Sequence, residues 1–385
     1  MRRTLPTFSS YLFCLTTLLD PTNSILGLKT PIFVFFIFSL LLYYKPQMKY
    51  WPILCPVFFL FIISFLCGTI VGIEFDYSMT IQHLLFFLLF ISLLWDSKID
   101  LFGPIVLSSL IVSIITIVGY IAMFTYPQIE SILYAFSSLH NNTFLMSHRT
   151  FLGVSFVSFF YKSIPVVIIP ASYYLDDIIN NGNSSLKNIV ITVVFLFSLF
   201  CAGNRTMIGI VFIIIFFISY NRISKWSLFK PLILAVLLCG VYVGVKSITE
   251  KGEESNDIKY AHIVSYIDFF SKNWYLMLFG TGAGSLFFSK GVGEMTGVTE
   301  WTYLEILRLY GVVGFFFIML FFLYPLRHYY TKLNEISHWK AFSMGYIFYL
   351  IVCASNPYLI SSTGFLCILL LFSVISNPRY KIIDQ

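Results

Sequence analysis

From Lys246 to Gly314 the chain reads KSITEKGEESNDIKYAHIVSYIDFFSKNWYLMLFGTGAGSLFFSKGVGEMTGVTEWTYLEILRLYGVVG. It is the one long polar interval in a sequence otherwise made of apolar runs. It carries Glu250, Glu253, Glu254, Asp257, Lys259, His262 and Asp268, then the glycine-rich run Phe279–Gly284. It ends in Thr299-Glu300-Trp301-Thr302-Tyr303-Leu304-Glu305-Ile306-Leu307-Arg308, with Gly311 and Gly314 just beyond. The apolar runs read as the support for this interval, and its meaning depends on which side of a barrier it stands.

The barrier follows from composition. Of 385 residues, 58% are hydrophobic and 11% charged, with a mean hydropathy of +0.86. A soluble domain carries about 25% charged residues, so a chain this apolar has no soluble core large enough to hide its side chains. Forty-three Phe and long charge-free runs favour helices over a barrel, whose strands alternate apolar and polar residues. A span needs ~20 mostly apolar residues. Twelve stretches qualify: 7–26 (interrupted by Asp20 and Pro21), 29–45, 52–72, 79–95, 101–125, 149–172, 188–203, 206–221, 231–248, 302–326, 339–354 and 359–376. The expected fold is an all-α polytopic integral membrane protein of about 12 transmembrane helices. It forms a single membrane domain, 1–385, with one long loop, 249–301, before the last three spans. The N-terminal apolar run has no small-residue cleavage site after it and reads as an uncleaved first span. Seven cysteines lie in or beside apolar runs with no metal-ligand spacing, which makes them small apolar side chains rather than disulfides or ligands.

Orientation comes from the basic residues of the short loops. One set of alternate loops holds 14 of the 24 Lys and Arg, among them Arg2, Arg3, Lys187, Arg222, Arg327, Lys340 and Lys381. That side is read as cytoplasmic, with both termini there. The long loop is then extracytoplasmic, together with Lys29, Glu74, Asp76, the loop 126–148, the turn at Gly203-Asn204 and the turn near Asn356-Pro357.

Two arginines disobey this bias. His148-Arg149-Thr150-Phe151-Leu152-Gly153 and Asn204-Arg205-Thr206-Met207-Ile208-Gly209 share an Arg-Thr-apolar-apolar-Gly pattern, and each opens an expected span at its outer end. A single such arginine is explained by snorkelling. Two copies suit anion binding better, because a helix N-terminus presents free N–H groups and a positive dipole to which a guanidinium adds bidentate donors. The ligand expected from Arg149 and Arg205, with His148 beside the first, is a pyrophosphate.

Gly280, Gly282 and Gly284 form either a tight turn or a backbone that must approach a sugar or lipid phosphate; no strand or Lys-Ser/Thr accompanies them, which excludes a nucleotide loop. Glu300 stands where loop becomes helix. Partial burial there raises a carboxylate pKa and suits it to accept a proton; the plainer reading is an acid favoured at a helix start. His262 is the alternative base, or a structural histidine. Glu305 and Arg308 lie three apart, placed either to pair on one helix face or for Arg308 to serve as a third cation. Trp301 and Tyr303, with Trp274 and Tyr275, are candidates for stacking on sugar rings or for an interfacial belt. Lys162 falls inside the expected span 149–172, so it lines a wet cavity or marks that span as broken. No metal site and no cofactor motif stands in an external loop, and Asp176-Asp177 is on the inner side.

At these residues the chain resembles the O-antigen polymerases, within the wider group that includes the O-antigen ligases. The resemblance rests on the external Arg149 and Arg205, the long loop before the late spans, Phe-Gly-Thr-Gly-Ala-Gly-Ser at 279–285, and Thr-Glu-x-x-Tyr-Leu-Glu-Ile-Leu-Arg-x-x-Gly at 299–311. It implies an inverting, metal-independent glycosyl transfer on the periplasmic side of a bacterial inner membrane. Donor and acceptor would be oligosaccharide repeat units on undecaprenyl pyrophosphate, with a chain-length regulator as a protein partner and no nucleic acid. Ligases of the group carry a loop histidine where this chain has Glu300, which favours polymerase and leaves the base between Glu300 and His262. A ligase acting on lipid A-core is the nearest alternative. A flippase or secondary transporter is the alternative of another class; it calls for midplane charges and sequence-related halves, and this sequence offers Lys162 alone.

Overall fold

The computed structural model describes residues 4–44, 51–81, 83, 99–126, 128–151, 154–223, 254–328, 336–354, 356–377 and 380. The expected span 231–248 and nearly all of 79–95 lie outside these residues. Helices dominate: α1 (Thr4–Leu19), α2 (Lys29–Tyr43), α3 (Trp51–Val71), α4 (Phe102–Thr125), α5 (Ile129–Leu139), α6 (Ile168–Ile179), α7 (Leu186–Cys201), α8 (Arg205–Ile223), α9 (Glu254–Lys272), α10 (Thr302–Leu323), α11 (Trp339–Cys353) and α12 (Ser362–Ser376). Two small hairpins interrupt them, β1 (Phe144–Phe151) with β2 (Val154–Tyr161), and β3 (Phe287–Ser289) with β4 (Glu294–Thr296).

Among the described residues, three helical stretches, Leu54–Val71, Phe102–Thr125 and Thr302–Arg327, are long and apolar enough to cross a membrane; the other apolar helices described are 10–17 residues. Large apolar side chains face outward along them, such as Phe59 at 60%, Ile70 at 82% and Val118 at 59% exposure. In water that surface would be unfavourable. Against lipid it costs nothing, which makes this a membrane protein. The axis is α12, which buries 13 of its 15 residues, as a helix apolar on every side does. It packs against α1, α4 and α11.

The expected span 149–172 is not one. Residues 144–161 pair as an antiparallel hairpin, from Phe144 opposite Tyr161 to Phe151 opposite Val154. Ser147 and Ser158 join hydroxyls across it at 2.7 Å, and Phe144 stacks on Phe159 at 4.8 Å. Hydropathy alone sees only an apolar run; cross-strand pairs of aromatics and serines decide for sheet. The hairpin leans on α4 at Gly119, where a Cβ would come within 2.8 Å of the Phe159 ring. Lys162, just past β2, donates to the carbonyl of Asn141 at 2.8 Å. Of its two readings, the broken span holds.

The interruption at Asp20 is a built turn. Its carboxylate accepts the backbone N–H groups of Ser24, Ile25, Leu26 and Gly27. Burial raises its pKa, but the four donors together outweigh burial and hold the pKa below the usual carboxylate value.

The loops gather at two ends. At one, Ser24 donates to the carbonyl of His140 at 2.7 Å, Phe160 stacks on Tyr358 at 5.9 Å, and Thr302 donates to the carbonyl of Asn356 at 2.5 Å. There too the N–H of Asp76 meets the carbonyl of Gly284 at 2.8 Å. At the other, Tyr380 donates to Asp100 at 2.7 Å, His338 meets Asp176 at 3.1 Å, and Asn188 donates to Asp177 at 2.9 Å. A helix such as α4, 24 residues long and so ~36 Å at 1.5 Å per residue, separates them.

Candidate functional site

The polar interval folds into a module seated on the break of α10. At Gly311 this helix departs from helical geometry, with φ 66° and ψ −176°. A break frees backbone groups that must find partners. The glycine run supplies them: the N–H of Thr281 meets the carbonyl of Arg308 at 3.0 Å, the N–H of Gly282 meets that of Leu309 at 2.8 Å, and the N–H of Val313 meets the carbonyl of Leu278 at 3.2 Å. Gly282, at φ 89°, presses on α3 so closely that a Cβ would lie 2.6 Å from the Cα of Phe65. Gly280, Gly282 and Gly284 are all buried. Of the two readings the sequence left, a close approach is seen, and its neighbours are protein: α10 at Gly280, α3 at Gly282, and Asp76 with Thr80 at Gly284.

Arg308 is likewise spoken for. Its side chain is 0% exposed. Nη1 donates to the carbonyl and hydroxyl of Ser285 at 3.0 and 2.8 Å. Nη2 donates to the carbonyl of Gly297 at 3.1 Å and to Glu305 at 2.5 Å, and Nε reaches Glu305 at 3.4 Å. The five donors of a guanidinium are all engaged, and the Phe287 ring lies 4.4 Å beneath it. This corrects its expected role as a third cation for pyrophosphate: it is the internal tie between α10 and the loop. Glu305 completes the tie by accepting from Tyr266, which also contacts Thr299, both at 2.5 Å.

The two candidate bases part company. His262 is 2% exposed, with Nδ1 2.7 Å from the Ser289 hydroxyl. Burial depresses its pKa against the opposing pull of Glu300 and Glu305, so the ring is kept neutral inside the module. Glu300 stands at the surface, its side chain 46% exposed and paired with Lys259 at 3.3 Å. Its expected partial burial is therefore modest, and the lysine is a partner that the sequence reading missed. Lys259, His262, Tyr266 and Phe269 recur at helical spacing on α9, a signal from which the module's inner face was readable.

Trp301 and Tyr303 are both anchored by their polar tips. The Trp301 indole donates to the carbonyl of Lys259 at 3.0 Å, and the Tyr303 hydroxyl to that of Leu350 at 2.8 Å. Trp274 and Tyr275 are open, at 74% and 47% exposure.

Arg205 is the first residue of α8, as expected, after an Asn204 side chain that accepts the N–H of Thr206 at 3.0 Å. Because α7 starts beside Asp177 and runs 16 residues, the start of α8 falls at the same end as the module. Arg149 does not open a helix; it stands in β1 opposite Phe156. The side chains of both arginines lie outside the described residues. His148, on β1, meets Glu130 at 2.9 Å, so its expected phosphate contact competes with that carboxylate. No family model, curated protein or solved structure matches this chain. Among the described residues no cluster of His, Cys, Asp or Glu has the makings of a metal site, and the described cysteines are free thiols.

Proposed function

We propose that this chain is a glycosyltransferase of the O-antigen polymerase type, joining undecaprenyl-pyrophosphate-linked repeat units at the periplasmic face of a bacterial inner membrane. The observation that carries the reading is the position of Glu300: half exposed at the mouth of α10, on a module locked by buried Arg308, and at the bundle end where β1 brings His148 and Arg149 and α8 begins with Arg205. In the reaction the acceptor sugar hydroxyl attacks the anomeric carbon of the donor. The new glycosidic bond forms as the bond to the pyrophosphate oxygen breaks, with inversion. Glu300 takes the hydroxyl proton, and Arg149 and Arg205 stabilise the charge on the leaving undecaprenyl pyrophosphate. A chain-length regulator would act from outside the chain.

A transporter has one observation in its favour, the discontinuous α10, since transporters bind substrate at broken helices. Here the carbonyls of Arg308 and Leu309 are already used by Thr281 and Gly282, which favours a static scaffold. The test in cells is Arg149→Ala and Arg205→Ala at unchanged expression. Each should leave surface lipopolysaccharide with one repeat unit; full-length chains in both would refute the proposal, and loss of even the first unit would point to the ligase.

A further inference from the structure

The geometry points to α5 as an interfacial helix, lying in the lipid headgroup–acyl boundary at the module's end of the bundle and setting the depth of the β1–β2 hairpin. It stands apart from the glycosyl-transfer reading, and either can fail alone.

Its two ends are pinned at the level where helices finish. The N-terminal end follows the membrane-length α4 by a tight turn, the N–H of Ile129 meeting the carbonyl of Tyr126 at 2.9 Å. At the other end His140 accepts from Ser24 at 2.7 Å and its ring meets the Ser24 carbonyl at 2.8 Å; Ser24 lies in the turn that ends α1. A helix tied at one end to the membrane-length α4 and at the other to the turn after the shorter apolar helix α1 crosses the end of the bundle instead of rising from it.

Its surface divides three ways. Ile129, Ile132, Leu133, Phe136 and Leu139 fall on one stripe at helical spacing. One flank of the stripe meets protein: Leu133 packs on the core, Phe136 stacks on Phe144 at 6.1 Å, and Ser137 is buried. The other flank is bare, with Ile132 69% and Leu139 79% exposed. It continues the outward apolar surface of α4, where Val118, Ile121 and Phe124 are 59%, 49% and 71% exposed, through Tyr126 at 63%. The opposite face carries exposed Ser131 and Ser138 and the Tyr134 ring, 67% exposed, an amphipathic side chain suited to the headgroup level. Its one charge, Glu130, holds His148 on the hairpin. An apolar flank continuous with a span, an aromatic at the junction and a back of serines with an amphipathic tyrosine are what an interfacial helix presents to lipid. The occupant is the bilayer.

The experiment replaces single residues of the full chain with the photocrosslinker p-benzoylphenylalanine, in vesicles of phosphatidylethanolamine and phosphatidylglycerol, and identifies adducts by mass spectrometry. Val118 serves as the lipid-facing control. Lipid adducts at Ile132 and Leu139 at levels like those of Val118, and at least tenfold lower at Ser131 and Ser138, are expected. Protein adducts at Ile132 and Leu139 would replace the bilayer by a partner chain and overturn the inference. Absence of adducts there, or equal lipid labelling of all four, would overturn it as well.

Discussion

Arg308 and Glu305, one turn apart on α10, meet at 2.5 Å with side chains 0% and 8% exposed. The charges deepest in the module hold it together, while those at its rim, Glu300 with Lys259 and Asp268 with Lys290, pair in partly exposed positions.

Deleting one member of this pair strands the other. Arg308→Ala should cost about 3–5 kcal/mol, because an uncompensated buried carboxylate remains. The joint replacement Glu305→Met with Arg308→Leu should cost less than either single change. Unfolding of the three variants in detergent measures this; single variants within about 1 kcal/mol of the parent would show the pair to be solvated and idle.

Gly311 and Gly282 should resist substitution. A Cβ at Gly311 would stand 2.3 Å from the Leu278 carbonyl oxygen, at φ 66°, so Gly311→Ala must push the glycine run off α10. Gly293 is the control, with φ 79° and open space around it, and Gly293→Ala should lose only the ~1–2 kcal/mol of left-handed backbone. Folded yield by size-exclusion chromatography compares them. Equal yields for the alanine variants of Gly311, Gly282 and Gly293 would remove the clasp from the account.

His262 makes stability depend on pH. Burial lowers its folded pKa below the ordinary 6.5, so the folded state binds its proton less readily than the unfolded state. The contribution is complete above about 6.5 and is lost as pH falls below that value towards the folded pKa. The module should therefore unfold more easily at pH 5 than at pH 7.5, and His262→Gln should flatten the difference. If Glu300 and Glu305 outweighed burial instead, stability would rise on acidification.

Glu300 separates chemistry from folding. Its pairing with Lys259 is half exposed, and such pairs contribute at most about 1 kcal/mol. Glu300→Gln should leave the melting curve nearly unchanged while lowering turnover by about 100–10,000-fold, the range of a lost general base. Lys259→Met should change both little. A Glu300→Gln enzyme with parental turnover would pass the role of base elsewhere.

Much of this architecture was legible in the sequence, and the failures have physical causes. The limits 29–45, 52–72, 101–125, 302–326 and 339–354 fall close to those of helices α2, α3, α4, α10 and α11, of which α3, α4 and α10 are membrane-length, because a charge-free run of helix-length hydropathy has few alternatives in lipid. Residues 149–172 failed because hydropathy does not tell an aromatic hairpin from a helix, and the decisive contacts, such as Phe144 on Phe159, link residues 15 apart. The spacing of Glu305 and Arg308 allowed pairing or catalysis; only the positions of Ser285 and Gly297, brought in by the glycine run, choose between them. The glycines announced a close approach but not to what, since a backbone partner leaves no sequence signal of its own.

The most direct test is reconstitution. Purified protein, in vesicles without any ion gradient, is given undecaprenyl-pyrophosphate-linked single repeat units, and the products are resolved by length. The account predicts a ladder of glycans on the carrier lipid, growing one unit at a time and absent with Arg205→Ala. Units that stay single in the presence of folded protein, or that merely change leaflet, would contradict it.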